Sequence, residues 1–218
     1  FYARGARAFQ PPSLSELKTA VDHCLDNVAA SGAGCTATSD GQAIADWDTS
    51  SVTSMNSLFD SKASFDTDIS GWNTAAVTDM ARMFYGATAF NQAISGWDTS
   101  SVTTMAAMFY GATAFNQAIS GWDTSSVTTM ASMFSRATSF NADVTGWDES
   151  ALATANNMFY DATAWTTAFT NCGYTAGSPD ASICTGSSYA SSSAATNGPP
   201  SAWQENPSPP PPPPSPPP

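Results

Sequence analysis

The chain has 218 residues with 18 acidic and 6 basic side chains, so its formal net charge is -12. This charge disfavours binding to nucleic acid, which requires a basic surface, and to anionic membranes. No apolar run approaches the ~20 residues that a membrane-spanning helix needs, so we predict no membrane span. The chain begins at Phe1 without a signal segment, and we expect it to be a processed chain or a piece of a longer one.

The first 41 residues precede the main repeats. Residues 1–12 form an N-terminal extension that is similar to the end of a repeat, and they are a candidate remnant of a preceding module. Residues 13–41 are predicted to form a capping helix and a loop, because Ser13 and Glu16 have capping-box spacing. An apolar stripe follows at helical spacing. Its members are Leu14, Leu17, Val21, Cys24, Leu25 and Val28.

A 25-residue repeat fills residues 42–170. Tryptophans mark it at constant intervals, at Trp47, Trp72, Trp97, Trp122 and Trp147. Other apolar residues recur in the same register. One such unit cannot bury its apolar face alone, so stacked units have to share one core. The sequence therefore predicts a solenoid.

The predicted fold class is an α/β solenoid, a leucine-rich-repeat-like stack of 25-residue turns. Each turn is expected to contain a short parallel strand, as at residues 94–99, and a short helix, as at residues 102–109, whose apolar residues have helical spacing. Gly86 and Gly111 follow this helix, where a left-handed residue is common. A helical N-terminal cap and a polyproline II tail complete the expected architecture.

The segment Phe115-Asn116-Gln117-Ala118-Ile119-Ser120-Gly121-Trp122-Asp123-Thr124-Ser125-Ser126-Val127-Thr128-Thr129-Met130 resembles the BspA-type leucine-rich-repeat surface proteins. The resemblance covers roughly residues 42–166. It implies a secreted or surface-exposed protein used in adhesion or interaction, and it brings no catalytic residues with it. In the last unit Ala155 replaces methionine and Trp165-Thr166-Thr167 replaces Phe-Asn-Gln, as expected of a terminal capping repeat.

The cysteines fall into two local pairs, Cys24 with Cys35 and Cys172 with Cys184. Their spacing is not that of a zinc site, and His23 is the single histidine. Pairing of this kind favours two structural disulfides and an oxidising compartment, while four buried free thiols are the alternative. Four cysteines allow three connectivities. Residues 171–206 are predicted to be a disulfide-stapled C-terminal cap and a linker rich in Ser, Ala and Gly.

Residues 207–218 are nearly all proline and are predicted to adopt polyproline II. The Ser-Pro and Pro-Pro runs resemble the hydroxyproline-rich stalks of algal and plant extracellular glycoproteins. That resemblance implies O-linked glycans, and an unmodified spacer or an SH3-type ligand is the alternative. The implied modification sites are Ser208, Pro209, Pro210, Pro211, Pro212, Pro213, Pro214 and Ser215.

No catalytic set or cofactor site is predicted. His23 and Cys24 are neighbours in the sequence, but adjacent residues of a helix point to different faces. An aspartate row is expected to cap backbone N–H groups of the turns that follow, and a calcium ladder is the weaker alternative. The row consists of Asp48, Asp98, Asp123 and Asp148. A second row, Asn91, Asn116 and Asn141, is expected to form an internal amide ladder.

The candidate contact surface contains two kinds of side chain. Tyr85, Tyr110 and Tyr160 are expected to be stacking platforms, and Thr103 and Thr128 belong to threonine rows. The function expected from these features is an extracellular structural protein, a subunit of a filament, appendage or glycoprotein matrix at the cell surface. It would self-assemble or bind other matrix proteins. An adhesin that binds a protein or glycan is the first alternative, and ice binding through the threonine rows is the second.

Overall fold

The computed structural model describes residues 9–27, 43–171, 200 and 203–205. These ranges contain helix α1 (Leu14–Asn27), a 3-10 helix (Ile44–Asp46) and helix α2 (Thr163–Ala168). Strands β1 (Phe169–Asn171) and β2 (Trp203–Glu205) pair antiparallel, with Phe169 opposite Glu205. Within the described ranges, no helix has the length and apolar character to cross a bilayer.

Residues 43–162 form a stack of 25-residue turns that are held together by hydrogen bonds between neighbouring turns. An isolated parallel bridge joins each turn to the next, and these bridges link Ser54, Asp79, Thr104, Thr129 and Thr154 in succession. Beside each bridge, alternate amides donate to carbonyls of the following turn, as Met80 does to Thr104 at 3.0 Å and Phe84 to Met108 at 2.9 Å. The backbone therefore joins the turns along one side of the stack.

The expected α/β solenoid, with a parallel strand and a helix in every repeat, is wrong. In the described turns the pairing is limited to single bridges, and residues 102–109 are not helical. Met105, Ala107 and Phe109 donate their amides to the next turn, while Met108 donates three residues back to Met105. Ala107 has a φ of 53°, and a right-handed helix requires negative φ throughout. The apolar spacing thus describes a coil of tight turns.

The predicted apolar rows do align into one continuous core, in which two aromatic columns run along the stack. Successive ring centroids are 5.4–5.7 Å apart in the first column and 5.7–6.0 Å apart in the second. The first column is Phe59, Phe84, Phe109, Phe134 and Phe159, and the second is Phe65, Phe90, Phe115, Phe140 and Trp165. Both are fully buried, and such stacked contacts stabilise a core beyond the area that they bury.

Helix α1 covers the N-terminal end of this core. Ser13 accepts a hydrogen bond on its Oγ from the amide of Glu16 at 3.3 Å, which confirms the predicted N-cap. Leu17 and Val21 are buried against the first turn. The opposite face of α1 carries polar residues, so the helix covers the apolar end of the stack and exposes a polar face to solvent.

Helix α2 and the β1–β2 pair cover the other end. Phe169 stacks on Trp165 at 3.9 Å, and Trp203 packs edge-on against Phe159 at 5.4 Å. These contacts close the two aromatic columns. They do not cover the whole last turn, in which Asn156, Asn157 and Tyr160 are exposed.

Candidate functional site

The aspartates that follow the tryptophans cap the turns. Asp98 accepts hydrogen bonds on Oδ1 from the hydroxyl of Ser100 at 2.6 Å and from its amide at 3.0 Å, and Asp123 does the same with Ser125. These bonds, that of the Ser100 hydroxyl above all, hold the pKa of Asp98 below its ordinary value. The amides of Ser50 and Ser150 are capped by Asp48 and Asp148. The predicted capping role is confirmed.

The same aspartates lie in a line along the surface. Within the described ranges, no three or more His, Cys, Asp or Glu side chains come together as a group that could hold a metal ion. One carboxylate oxygen of each row member is already committed to its cap. This row therefore has a structural role in the turns.

Threonine hydroxyls form further ladders between turns, one of which joins Thr88, Thr113 and Thr163 to carbonyls of the preceding turns. In the buried row, Thr99 donates from Oγ1 to the Asp123 carbonyl at 2.9 Å, and its equivalents do likewise. In the exposed row, Thr103 donates to the carbonyl of Thr78 at 3.1 Å and Thr128 to that of Thr103 at 3.0 Å. The single hydroxyl proton of each of these side chains is therefore used inside the stack.

The asparagine row forms the amide ladder that the sequence predicted, but on the surface. The Asn91 side-chain oxygen accepts the amide of Asn116 at 2.9 Å, and that of Asn116 accepts the amide of Asn141 at 2.9 Å. All three residues are exposed, so the expectation of an internal ladder is wrong. Their backbone partners turn the ladder into another fastening between turns.

The side chains of His23 and Cys24 lie on different faces of helix α1, as expected of adjacent helix residues: His23 is exposed and Cys24 is buried. Cys24 is buried and disulfide-bonded, so its sulfur is not available as a nucleophile. His23 is exposed and borders a pocket of about 350 Å³ together with Phe9, Glu16 and Ala20. Cys35, Cys172 and Cys184 lie outside the described residues, as do Ser208, Ser215 and Pro209–Pro214. The cysteine connectivity and the glycan sites therefore stay predictions.

Tyr85 and Tyr110 are stacked on each other on the surface, with centroids 4.6 Å apart and planes within 4°. The guanidinium of Arg82 lies 4.0 Å from the Tyr85 centroid, and that of Arg136 lies 5.7 Å from the Tyr110 centroid. A cation at each end suits the negative ring faces. The stacked faces are thus occupied, and the ring edges and hydroxyls remain to contact a partner.

The tyrosine row is interrupted before its last member. Ser135, which is buried, takes the position between Tyr110 and Tyr160. Tyr160 is 42% exposed and is the one exposed large hydrophobic side chain in the described part of the chain. Arg136 reaches into this region and has an ion-pair distance of 3.8 Å to Asp161. No tyrosine ring therefore lies between Tyr110 and Tyr160, and the guanidinium of Arg136 lies over the Tyr110 ring on this side.

Next to Tyr160, the last turn has backbone groups for which the described residues supply no hydrogen-bond partner. The corresponding amides of the turn before it, those of Met130, Phe134 and Arg136, all donate to this last turn. Among the described residues, the amides of Ala155, Phe159 and Asp161 have no acceptor, and the Ala153 carbonyl has no donor. We call these four groups the C-terminal edge.

Sequence reasoning found Tyr110 and Tyr160 but missed the surroundings that make them a site. Arg136 occupies a position where Gly86 and Gly111 stand in earlier turns, and this departure from the repeat is a visible signal. The free amides carry no side-chain signal at all. They follow from the direction in which the backbone points at the end of the stack.

Comparison with known proteins finds one family. The model described as "Mycoplasma protein of unknown function, DUF285" matches residues 31–105 and 92–179, which together span more than half of the chain. No curated protein and no solved structure matches significantly. The two matched ranges include the whole stack of turns.

Proposed function

The chain belongs to the DUF285 family, and we propose that it is a non-enzymatic structural protein of the cell surface or extracellular matrix. In this proposal the stack of turns is a rigid module that associates with further copies or with other matrix proteins. The proposal also includes the resemblance to BspA-type surface proteins.

The use of the polar side chains supports a structural role. Aspartates cap the turns, buried threonines bridge them, and asparagines fasten them on the surface. Each of these bonds is repeated from turn to turn. Residues in such ladders stabilise neighbouring repeats, and the stability of a stack grows with these interfaces.

The observation that carries the proposal is the C-terminal edge. Unpaired backbone groups along the edge of a stack are a template for another chain, and a peptide that adds to such an edge gains main-chain hydrogen bonds. The edge presents the amides of Ala155 and Asp161 and the carbonyl of Ala153 beside exposed side chains, while Phe159 is buried against Trp203. It is therefore suited to association.

Cys24 supports the location outside the cytoplasm. It is disulfide-bonded, and structural disulfides persist in oxidising compartments. The extracellular location and the glycosylated tail are parts of the proposal.

Sedimentation velocity and negative-stain electron microscopy of the purified chain test the proposal. We expect the weight-average mass to rise with concentration and to fall again in Ala153→Lys, because a lysine on an edge blocks pairing. Ala118→Lys is the matched control, since Ala118 is also exposed but lies in an inner turn. A chain that is monomeric at all concentrations, without assemblies in the micrographs, would refute self-assembly.

The adhesin alternative predicts a monomer with a saturable foreign ligand, for which exposed Tyr160 is the best-placed side chain. The ice-binding alternative is less favoured. Thr103 and Thr128 already donate their hydroxyl protons to carbonyls, so these protons are not offered to an ice lattice. Thermal hysteresis that is lost when Thr103 and Thr128 are replaced by bulky residues would reinstate it.

A further inference from the structure

We propose that Tyr160 of the last turn docks into the groove between Phe9 and helix α1 of a second copy of this chain. The inference rests on the proposed self-assembly, and it names the two surfaces that meet. Helix α1 packs on the first turn, whereas Tyr160 lies four turns further along the stack. At ~4.8 Å per turn the two are about 19 Å apart along the stack, so a chain cannot fill its own groove.

The groove combines apolar and polar lining residues. Phe9 and Ala20 are apolar, and Glu16, Thr19 and His23 are exposed polar residues of α1. Its volume is about 350 Å³, which is within the ~300–1,000 Å³ of pockets that enclose small molecules and is enough for one aromatic ring. A lining of this kind suits a side chain with an apolar body and a polar tip. We call it the α1 groove.

Tyr160 is a side chain of that kind, and its ring is accessible. It is 42% exposed and is the one exposed large hydrophobic side chain in the described part of the chain. Tyr85 and Tyr110 stack on each other, whereas no ring among the described residues stacks on Tyr160. Tyrosine and arginine are the residue types that contribute most to binding at protein interfaces, because an aromatic ring buries a large area when it is enclosed.

The charges beside Tyr160 and in the α1 groove are complementary. The amide of Arg136 donates to the Tyr160 carbonyl at 2.6 Å, so Arg136 is adjacent to the tyrosine, and its side chain is 56% exposed. In the groove, Glu16 is exposed and has no ion-pair partner among the described residues. Docking brings Arg136 of one copy toward Glu16 of the next. A charge pair at the rim of a contact directs its register more than it adds affinity.

The contact joins unlike surfaces, and each copy carries both of them. A second copy is therefore the occupant that the described residues favour, since one chain supplies the exposed ring, a groove large enough for it and opposite charges beside the two. Such a contact leaves a free ring at one end and a free groove at the other, so assembly can continue. One enclosed tyrosine buries about 150–250 Å², far below the ~1,200–2,000 Å² of stable interfaces. The association is therefore expected to be weak and to depend on concentration.

The test mixes two variants of the full-length chain. Tyr160→Ala lacks the ring but keeps the groove, and Thr19→Trp fills the groove but keeps the ring. In sedimentation velocity each variant alone is expected to self-associate at least about tenfold more weakly than the unchanged chain. Their equimolar mixture is expected to form dimers and nothing larger. Ser15→Trp is the matched control, because Ser15 is exposed on α1 but does not line the groove, and it is expected to associate like the unchanged chain.

Charge reversal is a second test that leaves both the ring and the groove in place. Glu16→Arg and Arg136→Glu are each expected to weaken self-association, and the chain with both substitutions is expected to recover to within about threefold of the unchanged chain. Equal urea unfolding transitions of all variants will show that lost association is not lost folding.

Two results overturn the inference. Undiminished self-association of Tyr160→Ala and Thr19→Trp, while Ala153→Lys reduces it, would leave the proposed function standing without this contact. A mixture of folded Tyr160→Ala and Thr19→Trp that forms no dimer, or that grows beyond dimers, would show that the ring of one copy does not enter the groove of another. An unchanged chain that is monomeric at all concentrations would instead refute self-assembly itself.

Discussion

The threonine ladders that contain Thr99 and Thr103 allow one substitution to be compared in two environments of the same turn. Thr99 is 1% exposed, and its hydroxyl is the one donor to the Asp123 carbonyl among the described residues. Thr103 is exposed, and its hydroxyl shares the Thr78 carbonyl with its own amide at 2.9 Å. Replacing either residue by valine removes the hydroxyl and keeps the branched shape.

We expect Thr99→Val to lower the free energy of unfolding by about 0.5–1.5 kcal/mol, since it removes a part-buried hydrogen bond and leaves the Asp123 carbonyl without this donor. Thr103→Val is expected to change it by less than about 0.5 kcal/mol, because the Thr78 carbonyl keeps its amide donor. With a urea slope of about 2 kcal/mol per molar, a loss of about 1 kcal/mol shifts the unfolding midpoint by about 0.5 M.

The assay is urea unfolding followed by tryptophan fluorescence, with both variants and the unchanged chain at one protein concentration. The slope is expected to stay constant while the midpoint of Thr99→Val falls. Equal midpoints for the two variants would refute the argument that the buried ladder, rather than the threonine content of the repeat, stabilises the stack.

Three further predictions concern single positions. Gly111 has a φ of +67° with room for a methyl group, so Gly111→Ala should lower the free energy of unfolding by about 1 kcal/mol through backbone strain. Gly121 has open space around it and no positive φ, so Gly121→Ala should change the free energy of unfolding little in the same urea assay. Because its cap lowers the pKa of Asp123, this carboxylate stabilises the fold above its unfolded pKa and loses that effect as pH falls through its lower folded pKa. The melting temperature should therefore drop more steeply below pH 4 in the unchanged chain than in Asp123→Asn, whose amide can cap as Asn73 does at 3.1 Å. Intact mass should rise by two hydrogens per disulfide on reduction, and the absence of any rise would contradict the bonded state of Cys24.

The sequence was sufficient to predict the register of the core but not the secondary structure of the turns. The 25-residue interval placed Phe84 and Phe109 in one column, and that prediction depends only on which residues must be buried together. The helix predicted at residues 102–109 failed because its apolar spacing also suits a coil with left-handed residues. Ala107 adopts such a left-handed conformation although it is not a glycine, so the residue type at this position gave no indication of the turn.

The candidate site was predictable only in part, for a related reason. Tyr160 was visible as a member of a row, and its exposure follows from its place in the last turn. The amides of Ala155 and Asp161 became part of the site through backbone direction, which is set in every turn by left-handed residues such as Asn157 and Asp161. Side-chain patterns do not encode that direction.

The same backbone direction limits how copies can associate through this edge. Along residues 130–136 the alternate amides point toward the C-terminal end, and the carbonyls that receive them in residues 154–160 point toward the N-terminal end. Two C-terminal edges brought together by a two-fold axis would place amides against amides, so a self-complementary dimer through this edge is disfavoured. A contact between unlike surfaces does not close on itself unless its rotation happens to form a ring. Assemblies built through this edge should therefore be polar, with every copy oriented alike.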